Sequence, residues 1–170
     1  YLNECFEALT EAVMAEGGTV DKFMGDSIMA FWNAPLEQPD HVDRALRAAF
    51  AMRRAQTVLN QGFAARGMPP VDFGVGLNTG TCSVGLMGSR RRLEYSCVGD
   101  TVNVASRLES LTKDYGVWNV VSEAVLTHAT AGWHSVVLDE ARVKGRNEAV
   151  RIHTVLGPAD RPLSPELASF

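Results

Sequence analysis

The sequence predicts an α+β fold, and three observations carry that expectation. Apolar residues recur at helical spacing over residues 2–16 and again after Asp40. Runs rich in β-branched and aromatic residues come in pairs around glycine-containing turns, at residues 18–33, 71–87 and 133–156. The order is therefore helix, ββ, helix, ββ, helix, then β–α–β–β, in which antiparallel strand pairs are packed by helices.

Each element has its own reason. Leu2, Cys5, Phe6, Leu9 and Val13 share one helical face, and Gly17-Gly18 ends that helix. Residues 18–33 form a hairpin turning at Met24-Gly25-Asp26-Ser27, because glycine accepts the backbone angles of a two-residue turn. Asn33-Ala34-Pro35 and Gln38-Pro39-Asp40 break the chain before a long helix that Asp40 can cap. Val42, Leu46, Ala49 and Met52 form its apolar face, and Arg44, Arg47, Arg53 and Arg54 read as a solvated one. After the loop Gly67-Met68-Pro69-Pro70, strands 71–78 and 81–87 are expected to pair through a turn at Thr79-Gly80, with residues 88–98 irregular.

The helix from about residue 100 to 113 turns Val104, Leu108 and Leu111 inward, while Asn103 and Arg107 line up on another face. Asp100 is expected to cap it. A short strand, a short helix and strands at about 133–143 and 148–156 follow. The tail from Gly157, with Pro158, Pro162 and Pro165, is expected to be loose.

With 170 residues, 46% of them hydrophobic, the chain can bury one core, and a single domain is expected. A net charge of −4 without a basic stripe argues against a nucleic-acid partner. No apolar run approaches the ~18 residues that span a bilayer. A cytoplasmic location is expected, although a larger parent protein could be membrane-anchored. Cys5, Cys82 and Cys97 lack metal-ligand spacing and read as reduced, packed thiols. The four histidines, His41, His128, His134 and His153, are scattered and read as surface or packing residues.

Four stretches carry a resemblance. The hairpin Lys22-Phe23-Met24-Gly25-Asp26 resembles the "KF-GD" hairpin of the class III nucleotidyl cyclases, the adenylyl and guanylyl cyclases. Asn103 through Arg107 resembles their "N-x-x-x-R" helix. Phe73 through Gly80 is similar to their "GIN-TG" strand, and Val143-Lys144-Gly145 to their late "VKG". The four stand in family order across roughly residues 15–156.

The resemblance implies a ferredoxin-like antiparallel sheet with packed helices. The family's first strand, which precedes its first helix and bears the first of two metal-binding aspartates, has no counterpart in this chain. The implied catalytic domain covers residues 1–157, with 158–170 a flexible tail. Asp26 resembles the second metal-binding aspartate, and two Mg²⁺ or Mn²⁺ ions per site are implied. With one aspartate, the chain on its own is expected to be impaired. Asp21 is not read as a substitute, since it falls within the hairpin strand.

Lys22 and Ser96 match the two base-reading positions. Lys22 can donate to adenine N1, and the Ser96 hydroxyl can bond the exocyclic amine. Adenylyl cyclases often carry Asp at the second position and a subset Thr, so Ser departs from the pattern but keeps the hydroxyl; guanylyl cyclases usually have Glu and Cys. Asn103 resembles the ribose-positioning residue, and Arg107 the one that stabilises charge on the phosphate. Lys144 and, by its spacing to Ser96, Arg91 resemble phosphate ligands.

The implied activity is conversion of ATP to cyclic AMP and pyrophosphate. The implied assembly is a head-to-tail homodimer with sites at the interface, regulated by a separate sensor domain in the full-length protein. The alternatives are a guanylyl cyclase, and a degenerate cyclase-like domain that binds nucleotide or dimerises. A diguanylate cyclase would need a Gly-Gly-Asp/Glu-Glu-Phe hairpin in place of Met24-Gly25-Asp26-Ser27.

Overall fold

The computed structural model describes residues 1–142 and 149–168. The chain folds as two compact units, Tyr1–Phe73 with Val84–Cys97, and Gly74–Ser83 with Val98–Phe170.

The first unit begins with helix α1 (Leu2–Ala15), followed by β1 (Thr19–Met24), β2 (Ser27–Phe31) and the long helix α2 (His41–Ala65). Its core joins Leu9, Ala12 and Val13 of α1 to Met52 of α2, with Val20, Ile28, Ala30 and Trp32 of the hairpin packed against them. The apolar spacing of both helices fixes which faces meet. Ion pairs sit at the edges of this packing: Arg66 forks onto Glu4 at 2.6 and 2.9 Å, and Arg47 reaches Glu16 at 2.9 Å.

Asp40 sits at the N-cap position of α2 without a side-chain cap bond, contrary to expectation. Its carboxylate is taken instead by Arg44 at 2.7 Å and Arg47 at 3.4 Å, whose guanidinium groups carry a full opposite charge that a backbone amide lacks. The α2 arginines so engaged tie the fold together; Arg53 likewise meets Asp72 and Gln56.

Residues 88–98, expected to be irregular, belong to a second hairpin. Strand β4 (Ser83–Ser89) pairs with β5 (Arg92–Val98), and the turn falls at Arg90-Arg91. Strand β3 (Val75–Leu77) correspondingly does not pair with β4. It runs parallel to β6 (Asn119–Ser122).

The second unit is a four-stranded sheet in the order β3-β6-β8-β7, with β7 (Trp133–Arg142) and β8 (Ala149–Pro158) antiparallel. Helices α3 (Asp100–Tyr115) and α4 (Glu123–His128) and the short α5 (Pro165–Ala168) complete it. Of the residues from Gly157 onward, Gly157 and Pro158 close β8 and Pro165–Ala168 form α5. Val104 and Leu108 of α3, Val120 of β6 and Ile152 of β8 form the core, each fully buried. Asn119, also buried, closes the sheet by receiving the Val155 amide at 2.8 Å and donating to its carbonyl at 2.9 Å.

None of the three cysteines is in a disulfide; Cys5 and Cys97 are buried. Three histidines are partly or largely exposed, and His153 on β8 is buried, with no hydrogen-bond partner for either ring nitrogen among the described residues. Among the described residues, no helix is long and apolar enough to cross a membrane.

Candidate active site

In the first unit the expected residues gather around the β1–β2 hairpin. Its turn is Gly25-Asp26, with Met24 opposite Ser27. Gly25 has φ 62, in the left-handed region, and a Cβ there would meet nothing within 4 Å. Glycine is therefore required for the backbone angle rather than for space. The turn lifts Asp26 into solvent at the hairpin tip.

Strand β1 is irregular at one point. Val20 pairs with Ala30 and Lys22 with Met29, leaving Asp21 as an extra residue in a bulge. A regular strand would send Asp21 and Lys22 to opposite faces. A bulge re-aims side chains, and here both reach toward β5. Lys22 Nζ lies 3.4 Å from Ser96 Oγ, and the Ser96 hydroxyl donates to Asp21 Oδ2 at 2.7 Å. The amide of Cys97 donates to the same oxygen at 3.1 Å. Asp21 Oδ1 is buried with no hydrogen-bond partner among the described residues and stands 3.4 Å from the Lys22 ammonium, an ion-pair separation. The Asp21 side chain is wholly buried, whereas that of Lys22 is 39% exposed.

The family pattern pairs Lys22 with Ser96, and the structure brings them together. Asp21 was not among the expected site residues, because strand alternation places neighbours on opposite faces and a bulge leaves no mark in the residue pattern. The usable signal was chemical, since an acidic residue in a strand that packs against a core must find donors. Arg91 lies exposed in the β4–β5 turn, its amide 3.3 Å from Ser89 Oγ.

In the second unit, α3 carries the other expected pair. Asn103 and Arg107 are exposed one turn apart, opposite buried Val104 and Leu108. Among the described residues neither side chain has a hydrogen-bond partner, and both are exposed to solvent. Gly99, with φ 151, stands at the N-cap, and Asp100 is the first helical residue. The expected cap is thus displaced by one position, and the carboxylate sits in the first turn, where the helix dipole favours negative charge.

The strand resembling "GIN-TG" holds α3 in place. A Cβ at Gly76 would overlap the Glu109 amide nitrogen and the Ala105 carbonyl oxygen, so β3 and α3 pack backbone to backbone. Asn78 donates to the Thr101 carbonyl at 3.0 Å and receives Ser122 Oγ at 2.6 Å. Thr101 Oγ1 bonds the Thr81 carbonyl at 2.8 Å. These bonds explain why Thr79-Gly80 does not form a hairpin: the segment after β3 is bound to the first turn of α3. Lys144 lies outside the described residues.

No group of three His, Cys, Asp or Glu that could hold a metal occurs among the described residues. Asp26 offers a single accessible carboxylate, compatible with Mg²⁺, which takes one or two carboxylates together with phosphate oxygens and water.

A family model described as the adenylate and guanylate cyclase catalytic domain matches residues 1–157. The chain is 40% identical over 156 residues to adenylate cyclase 1 of Rhizobium meliloti, covering 92% of this chain and 24% of that protein. It is 33% identical over 162 residues to an adenylate cyclase of Anabaena cylindrica, covering 91% and 31%. The chain thus spans about a quarter to a third of these relatives' lengths.

Among solved structures, the guanylyl cyclase Cya2 superposes with a TM-score of 0.84 at 32% identity, covering 96% of this chain and 82% of that one. The adenylyl cyclase CyaB from P. aeruginosa gives 0.83 at 31%, covering 91% and 79%. This chain belongs to the adenylate and guanylate cyclase catalytic-domain family, the class III cyclases. Members of the family bind a nucleotide substrate as dimers and generally use divalent metal ions.

Proposed function

We propose that this domain is an adenylyl cyclase, forming cyclic AMP and pyrophosphate from ATP. The observation that carries the base assignment is the approach of Lys22 to Ser96, 3.4 Å apart. Overall likeness cannot choose the base, since the two solved cyclases of opposite specificity match almost equally. Lys22 donates to adenine N1, and Ser96 pairs with the exocyclic amine. The two curated adenylate cyclases above agree with this reading.

The reaction forms a bond from the ribose 3′-oxygen to the α-phosphorus and breaks the bond from that phosphorus to the oxygen bridging to the β-phosphate. The hydroxyl proton leaves to solvent, and pyrophosphate carries off the electron pair. Asn103 orients the ribose. Arg107 answers the charge that builds on the phosphate, its planar fork matching two oxygens. Lys144 binds the terminal phosphates, and Arg91 contacts phosphate. Asp26, with the triphosphate, would hold divalent ions, two Mg²⁺ or Mn²⁺ per site, which when bound acidify the attacking hydroxyl and neutralise the leaving group.

The working assembly is a head-to-tail homodimer. One protomer supplies Asp26, and the other supplies Lys22, Ser96, Asn103, Arg107 and Lys144. In the full-length protein a sensor domain regulates the cyclase. The catalytic domain spans residues 1–157, followed by a tail.

The test is to incubate the full-length protein with ATP and Mg²⁺ or Mn²⁺ and to quantify cyclic AMP and pyrophosphate. The two should appear in equal amounts. Adenosine monophosphate or diphosphate as the main product, or no turnover, would overturn the assignment.

A further inference from the structure

We propose that Asp21 is a specificity-determining positioning residue: buried beneath Lys22 and Ser96, it fixes the hydrogen-bond polarity with which the pair meets a purine. The inference rests on the reading of Lys22 and Ser96 as the base-contacting residues.

A serine hydroxyl carries one proton and two lone pairs, whereas a carboxylate can only accept. At 2.7 Å from Asp21 Oδ2, Ser96 must therefore give up its single proton to the carboxylate. Every further partner of Ser96 must then be a donor. Lys22, 3.4 Å away, already meets that condition. Without the carboxylate, the hydroxyl would rotate freely and could donate to a carbonyl as readily as accept from an amine.

The consequence bears on the base. Adenine presents an amino group at position 6 and an acceptor at N1; guanine presents a carbonyl at position 6 and an N–H at N1. A serine held as acceptor beside a lysine donor matches both atoms of adenine and opposes both atoms of guanine. Discrimination of this kind is strong when the mismatched groups are buried, and Ser96 is 3% exposed.

The local fold is arranged for this contact. The β1 bulge turns Asp21 onto the same side as Lys22, which regular pleating would forbid. The Cys97 amide donates to the same oxygen as Ser96, anchoring the carboxylate against β5 at two consecutive residues. Asp21 Oδ1 has the ammonium of Lys22 at 3.4 Å, so one buried group orients both base readers.

The experiment compares kcat/KM for ATP and for GTP in the full-length protein and in four variants: Asp21→Ala, Asp21→Asn, Ser96→Ala and Lys22→Ala. A third substrate, purine riboside triphosphate, has the N1 acceptor but no amino group. Asp21→Ala should lower the ATP-to-GTP ratio by about tenfold or more, mainly through KM, on the scale of one charge-assisted hydrogen bond. It should also shrink the preference for ATP over purine riboside triphosphate. Asp21→Asn keeps an oxygen for the Cys97 amide and the serine proton but loses the ion pair, so its ratio should fall less.

A purely structural role would slow all three nucleotides alike. If both Asp21 variants do so with the ratio unmoved, while Lys22→Ala and Ser96→Ala shift it, the inference about Asp21 is wrong and the base reading stands. If Lys22→Ala and Ser96→Ala also leave the ratio unmoved, the base reading itself fails. Should Asp21→Ala show no cooperative melting, Asp21→Asn decides by the same ratio.

Discussion

Lys22 and Ser96 lie 3.4 Å apart, although 74 positions separate them in the chain. A donor and a hydroxyl at that separation can span two neighbouring atoms on one edge of a purine. Exchanging them for the pair usual in guanylyl cyclases, as Lys22→Glu with Ser96→Cys, should therefore weaken use of ATP and favour GTP. Each mismatched buried contact costs about 1–3 kcal/mol, or roughly a factor of 5 to 150. Kinetics with both nucleotides check this, and an unchanged preference in the double variant would place base reading elsewhere.

The hairpin of Asp26 and helix α3 were legible in the sequence for simple reasons. Gly25 in a two-residue turn admits few alternatives, and Val104 and Leu108 are spaced for one buried face. The β4–β5 hairpin was not, because its strands carry Ser89, Arg92 and Glu94 and expose Leu86 and Leu93, so it resembles a loop in composition. The alternation of Leu93, Tyr95 and Cys97 was its available signal. Asp21 was hidden by the bulge, and the parallel pairing of β3 with β6 depends on partners more than 40 residues apart. Local pattern does not carry such information.

Gly76 tests the backbone contact that seats α3. Gly76→Ala would drive a methyl into the Glu109 amide and the Ala105 carbonyl, neither of which can move without shifting the helix. A destabilisation of about 1–3 kcal/mol or more is expected, together with loss of activity, since Asn103 and Arg107 ride on α3. Chemical denaturation of the variant measures it; unchanged stability would show that β3 and α3 pack less closely.

Stability should depend on pH through His153. Burial, the largest influence, holds its imidazole below the ordinary value of 6.5; Glu123 pulls it upward and Arg151 downward. Below about pH 6.5 the unfolded chain binds the proton and the folded one does not, so stability falls as pH drops toward the folded pKa. The loss is at most about 1.4 kcal/mol per pH unit. Asp72 and Asp139, whose carboxyls are held low chiefly by Gln56 and by Tyr115, lose their contribution only at more acidic pH. Melting temperatures between pH 7.5 and 5.5 should decline in the natural protein, and the slope should flatten in His153→Leu. An equal slope in both would remove His153 from the account.

A site shared between protomers makes a complementation prediction from Asp26 and Arg107. Asp26→Asn and Arg107→Ala should each be inactive in the full-length protein, the first for want of a metal ligand and the second for want of phosphate charge. In a randomly exchanged equimolar mixture about half the dimers are mixed, and each has one intact site, giving roughly a quarter of the natural activity. No recovery, with exchange demonstrated by a tagged pull-down, would place both residues in one protomer's site.

The most direct measurement is a competition. The full-length protein is given equal concentrations of ATP and GTP with Mg²⁺ or Mn²⁺, and both cyclic nucleotides are quantified by mass spectrometry. Reading by Lys22 and Ser96 predicts that cyclic AMP exceeds cyclic GMP by about tenfold or more. Comparable amounts, an excess of cyclic GMP, or neither product would contradict the assignment.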